Sequence, residues 1–229
     1  MKLQEHLIVK DELTLYLVAQ GVKPTTIIDF SLNIDQNVLI YDFLSSFPSN
    51  KEPDFYRLRS SIIAEFNHLL DSTGVAYKGR INPRYDNLYQ ILAGKDQESF
   101  HNLQRATTDR EIGLALGFPQ EAVDALGKII DGEMRDGSYY CVSLAKAQQA
   151  GLEIPTWLAY ISFIPEQLDF VNGKISQSSE RLGRRYQDFV HKHNSDLARR
   201  VEEEFVKKEY PKEWKKLPDG SYEMMKITC

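Results

Sequence analysis

A chain of 229 residues with 42% hydrophobic and 27% charged residues has an ordinary globular composition, and its formal net charge of −5 argues against a broad phosphate-neutralising surface. The two cysteines, Cys141 and Cys229, are too few and too far apart for a disulfide framework or a zinc site, so we expect a reducing compartment. The N-terminal residues lack the apolar core of a signal peptide, and no apolar run reaches the roughly 18–20 residues of a membrane span, so we expect a cytoplasmic protein without membrane segments.

Hydrophobic periodicity, with glycine and proline as breaks, predicts helices and strands that do not alternate regularly. The order favours an α+β fold: a mostly helical single domain, residues 1–229, with a small mixed sheet and a C-terminal β-hairpin. Within it we distinguish an N-terminal subregion, 1–84, from residues 85–205. The predicted elements are a helix near 13–18 that Gly21 ends, a strand at 25–30, an amphipathic helix at 54–70 after the loop 48–53, a buried strand at 87–93, a surface helix at 97–105, a strand at 156–164 between two prolines, helices from 176 with a break at 194–195, and the hairpin at 212–228 around Pro218-Asp219-Gly220.

Residues 110–126 (REIGLALGFPQEAVDAL) have the spacing of a DNA-reading helix-turn-helix. Thr108 followed three residues later by Glu111 predicts a capping box at the start of the first helix. Gly117 supplies the turn, and Pro119 suits the first position of the second helix. The pattern therefore predicts two short helices that cross at a steep angle.

A DNA-binding regulator that uses residues 108–131 is one alternative function. The second helix would present Gln120, Glu121 and Asp124 where base and phosphate contacts are made, and carboxylates repel phosphates. We therefore expect no nucleic-acid partner and a helical corner that packs against the core. The residues predicted to be buried in that corner are Ala122, Val123 and Leu126.

Four segments occur in an order that resembles a prokaryotic, mainly archaeal family described only as a domain of unknown function. They are QILAGKD (90–96), DREIGLALGFPQEAV (109–123), SFIPEQLDF (162–170) and SERLGRRYQDF (179–189), which include the family's Leu-Gly-Tyr/Phe-Pro motif. The likeness covers about residues 85–205 and implies a related fold without indicating an activity. Relatives carry cysteines at positions that are Glu121, Ala122, Glu166 and Phe170 in this chain, so any metal binding by those cysteines is missing.

The most suggestive polar residues lie in GKISQSSERLGRR, residues 173–185, at the start of a predicted helix. Free N–H groups, the helix dipole and serine hydroxyls favour an anion there, and arginine adds bidentate hydrogen bonds. The other interpretation is a solvated basic face capped by serine. The leading hypothesis is a binding or interaction module whose partner is a small anionic ligand or a protein. The candidate ligand-binding residues are Lys174, Ser176, Ser178, Ser179, Arg181 and Arg184, with Arg185 the least certain.

No catalytic residue, metal site or cofactor is predicted, because the sequence lacks HExxH, Walker A, GxSxG and dinucleotide-binding signatures. Gly94-Lys95-Asp96 predicts a polar turn rather than a phosphate site. An enzyme of unrecognised type is a further alternative if the fold brings acidic side chains together. The carboxylates considered for that role are Glu111, Glu121, Glu166 and Asp169.

Two of the five histidines, His191 and His193, are close in sequence. On a helix, residues two apart point about 160° away from each other, so the pair cannot share a metal ion. We expect His193 to be a half-buried packing residue that continues an apolar line. The other members of that line are Leu182, Tyr186 and Phe189.

Overall fold

The computed structural model describes residues 8–31, 64, 67–68, 70–81, 88–131, 144, 147, 150–163, 165–207, 214–216 and 222–224. Its helices are α1 (Val9–Ala19), α2 (Gln97–Arg105), α3 (Asp109–Ala115), α4 (Gln120–Asp131), two 3-10 helices (Thr156–Tyr160 and Phe170–Asn172), α5 (Gln177–His193) and α6 (Ser195–Lys207). Its strands are β1 (Thr25–Ser31), β2 (Ala76–Ile81), β3 (Leu88–Gly94), β4 (Leu168–Asp169), β5 (Lys174–Ile175), β6 (Trp214–Lys216) and β7 (Tyr222–Met224). These elements confirm the α+β class. The chain divides into two compact units, Met1–Gly117 (unit 1) and Phe118–Cys229 (unit 2).

A three-stranded sheet with the order β1-β3-β2 forms the centre of unit 1. Both pairings are antiparallel, so the expectation of a mixed sheet is wrong for the described strands. Only six residues separate β2 from β3, whereas a parallel pair needs a crossover connection of about a dozen residues or more. The predicted strands at 25–30 and 87–93 are confirmed as β1 and β3.

The two faces of this sheet are covered by different elements. Ile28 and Ile91 belong to one buried cluster with Leu15 and Val18 of α1. Leu92, which points to the opposite face because strand side chains alternate, belongs to a second cluster with residues of α2. Unit 1 therefore has a layer of apolar contacts on each side of its sheet.

Two of the helices predicted for unit 1 are present as α1 and α2. Helix α1 contains the predicted residues 13–18 and is followed by Gly21, whose φ of 70° few other residues adopt. Helix α2 has the predicted bounds. The amphipathic helix predicted at 54–70 lies largely outside the described residues, although residues 64, 67, 68 and 70–73 are helical. Strand β2 is absent from the predicted elements; it contains Gly79, and glycine is uncommon inside strands.

The helix-turn-helix-like segment forms the predicted helices α3 and α4. Thr108 and Glu111 make the expected capping box, and Gly117 has a φ of 80° at the turn. Ala122 and Val123 are 5% and 6% exposed, which confirms their predicted burial, while the side chain of Leu126 lies outside the described residues. Because α3 and α4 fall in different units, their steep crossing stays a prediction.

In unit 2, helices α5 and α6 pack against the 3-10 helix Thr156–Tyr160. The predicted break between them is confirmed, since Asn194 separates the helices and its Oδ1 accepts a hydrogen bond from Leu197 N at 3.2 Å. The predicted strand at 156–164 is wrong, because the first five of these residues form the 3-10 helix. The spacing of the buried residues fits a helical turn rather than the alternation of a strand. These buried residues are Trp157, Leu158, Tyr160 and Ile161.

Two small antiparallel pairs complete the described part of unit 2. Strands β4 and β5 pair through Leu168 and Ile175. Strands β6 and β7 pair with Lys215 opposite Glu223, which confirms the predicted C-terminal hairpin, although its Pro-Asp-Gly turn lies outside the described residues.

Candidate functional site

Three serine hydroxyls at the start of α5 converge on the carboxylate of Glu166. Ser178 Oγ donates to Oε1 at 2.6 Å, Ser179 Oγ donates to Oε2 at 2.7 Å, and Ser176 Oγ also donates to Oε1. Ser176 is in addition the N-cap of the helix, since its Oγ accepts a hydrogen bond from Ser179 N at 3.2 Å. We call these four residues the Glu166–serine cluster.

The short ribbon of β4 and β5 explains why Glu166 lies beside the start of α5, whose N-cap Ser176 comes ten residues later. The chain turns at Gly173, whose φ is 68°, and β5 then returns alongside β4. Asp169 supports this turn by accepting hydrogen bonds from the backbone N and side-chain Nδ2 of Asn172 at 3.3 and 2.6 Å. At the end of the ribbon, Ser176 N donates to Gln167 O at 2.9 Å, which holds the helix start against the segment that carries Glu166.

The hydroxyls of the Glu166–serine cluster stabilise a negative charge that belongs to the chain itself. Burial alone would raise the pKa of Glu166, but the hydrogen bonds from the three serine hydroxyls outweigh it and hold the pKa below its usual value. Glu166 is therefore a carboxylate at neutral pH. Ser176 and Ser179 are 2% and 0% exposed, so two of the three hydroxyls face the protein interior.

The cationic residues predicted for the same site are placed differently from the serines. Lys174, Arg181 and Arg184 are all exposed. Arg184 forms an ion pair with Glu180 at 2.8 Å, one helical turn before it. Within the described residues, the side chains of Lys174 and Arg181 form no hydrogen bond or ion pair. The structure thus brings the three predicted serines together, and it leaves the side chains of Lys174 and Arg181 without a partner among the described residues.

A second polar cluster, which the sequence did not predict, joins α5, α6 and the 3-10 helix Thr156–Tyr160. Glu202 Oε1 accepts hydrogen bonds from Tyr160 Oη at 3.0 Å and from Gln187 Nε2 at 3.0 Å, and lies 2.8 Å from His191 Nε2. Burial raises the pKa of Glu202, but its hydrogen bonds lower the pKa by a larger amount. The pKa of Glu202 is therefore below its usual value. Burial and the Glu202 carboxylate raise the pKa of Tyr160. The only sequence signal was the four-residue spacing of Gln187 and His191, which places both on one helix face.

The two neighbouring histidines have separate surroundings. His191 contacts Glu202 and the ring of Tyr160, whereas the His193 ring stacks on Phe189 with centroids 4.5 Å apart. The expectation that His193 is half-buried is wrong, because it is exposed in the last turn of α5, where fewer neighbours cover it. Its predicted contact with the apolar line through Phe189 is present.

The carboxylates considered for an enzyme each have a local structural role or face solvent. Glu111 completes the capping box, and hydrogen bonds from the backbone N–H groups of Thr107 and Thr108 lower its pKa to about 2. Glu121 is exposed on α4, and Asp169 supports the β4–β5 turn. In the described ranges, no group of three or more histidine, cysteine, aspartate or glutamate side chains could hold a metal ion.

Two further segments weighed as recognition sites make local contacts. Asp96 of the Gly94-Lys95-Asp96 segment is the N-cap of α2 and accepts a hydrogen bond from Ser99 N at 2.7 Å. At the start of α4, Gln120 Nε2 donates to Asp124 Oδ1 at 2.7 Å, and both residues are exposed. The surface of α4 that would face DNA therefore carries carboxylates.

No protein-family model, curated protein sequence or solved structure matches this chain. The resemblance to the archaeal family stays a prediction. Among the helices that the structure describes, none is long and apolar enough to cross a membrane.

Proposed function

We propose that this protein is a binding module that holds a small anion, a carboxylate or a phosphate, at the start of α5. One observation carries the proposal: three serine hydroxyls donate to a single carboxylate, that of Glu166. Such convergence supplies the hydrogen-bond donors that an anionic ligand requires.

The ligand binds by displacing the Glu166 carboxylate. Free backbone N–H groups of the first helical turn and the helix dipole then add to the serine hydroxyls. Lys174 and Arg181, which are exposed and unpaired among the described residues, supply positive charge from the adjoining segments. Their charge is needed because the chain as a whole carries a net charge of −5 and repels anions over longer distances.

Competition with Glu166 sets the affinity of the site. A group tethered by a short segment has an effective concentration in the millimolar range or above. A free ligand has to compete with the Glu166 carboxylate at that effective concentration. Removing the charge at residue 166 should therefore strengthen binding, which is the opposite of the effect expected for a residue that contacts the ligand. An increase in ligand affinity on removal of this charge would distinguish the proposed site from a purely structural role for the cluster.

The test is thermal unfolding of Glu166→Gln with and without inorganic phosphate, at constant ionic strength maintained with sodium chloride. Phosphate at about ten times its Kd stabilises the folded state by about 1.4 kcal/mol, a rise in Tm of roughly 3–6 °C for a chain of this length. We expect this rise in Glu166→Gln and a smaller one in the unsubstituted protein.

The matched control is Glu153→Gln, which removes the same charge from an exposed residue of unit 2. It should respond to phosphate as the unsubstituted protein does. Equal responses from Glu166→Gln and Glu153→Gln would show that phosphate acts through general salt effects and would refute the proposed site.

A further inference from the structure

We draw no further inference here: the strongest candidate, the side-chain cluster in which Tyr160, Gln187 and His191 converge on Glu202, is accounted for as the polar link between α5, α6 and the 3-10 helix Thr156–Tyr160, and nothing in the described part of the chain shows a ligand or substrate position beside it.

Discussion

The stability of unit 1 should rise with pH above neutrality because of one buried lysine. Lys23 lies between α1 and β1 and is only 3% exposed. Burial and, to a smaller extent, the positive charge of Lys10 together lower its pKa from 10.5 to about 7. That difference corresponds to about 5 kcal/mol of free energy between the charged and neutral forms.

The sign of the pH dependence follows from proton binding. Between about pH 7 and 10.5 the unfolded chain holds the Lys23 proton and the folded chain does not, so raising the pH favours the folded state. The free energy of unfolding should increase by about 2 kcal/mol between pH 7 and pH 9 from this group alone. Over the same pH interval, a lysine with an ordinary pKa in the folded state changes the free energy of unfolding by almost nothing.

Lys23→Met removes the charge and keeps an unbranched side chain of similar length. Its free energy of unfolding should lack the 2 kcal/mol rise and should be higher than that of the unsubstituted protein at pH 7, by up to about 4 kcal/mol. Urea unfolding followed by circular dichroism at pH 7, 8 and 9 measures both quantities. The control is Lys95→Met at an exposed position, which should retain the rise. If the Lys23→Met and unsubstituted proteins show the same pH dependence, Lys23 is not neutral in the folded state and the reasoning fails.

Three other predictions concern packing and recognition. Val123→Asp buries an unpaired charge at a 6% exposed position and should destabilise the protein by about 3 kcal/mol or more, so an unchanged Tm would show that this part of α4 is not packed. Gly183→Ala should lower the Tm by several degrees, because the added Cβ would lie 2.8 Å from Trp157 O. Gly151→Ser serves for comparison: Gly151 has a positive φ and no atom within 4 Å of an added Cβ, so this variant measures the cost of backbone strain alone. Random duplex DNA should show no mobility shift at micromolar protein and low salt, because α4 presents carboxylates; a salt-dependent shift that Gln120→Ala abolishes would favour the DNA-binding alternative.

The features that the sequence predicted depend on neighbouring residues. The capping box at Thr108 joins residues three apart, and the turn at Gly117 requires only one backbone conformation that glycine tolerates. The serine start of α5 was predictable for the same reason, since Ser176 caps a helix that begins at the next residue. In each case the determining contact lies within one helical turn.

The features that the sequence did not predict depend on residues brought together by the fold. The alternating pattern of residues 156–164 between Pro155 and Pro165 predicts a strand, yet burial of Trp157 and Tyr160 against α5 and α6 stabilises a 3-10 helix over residues 156–160. The contact of Glu166 with the serines requires the β4–β5 ribbon to fold back, and Tyr160 meets Glu202 across 42 residues of sequence. Propensity and periodicity contain no information about such pairs.

The most direct test of the account is a phosphate titration of Glu166→Gln followed by two-dimensional ¹H–¹⁵N NMR. The account predicts saturable shifts of the backbone amide signals of Ser178, Ser179 and their neighbours in α5. It also predicts a Kd roughly tenfold or more below that of the unsubstituted protein, because the tethered competitor has been removed. If those signals do not move, or if they move by the same amount with the same Kd in both proteins, Glu166 does not occupy a ligand site and the proposed function is contradicted.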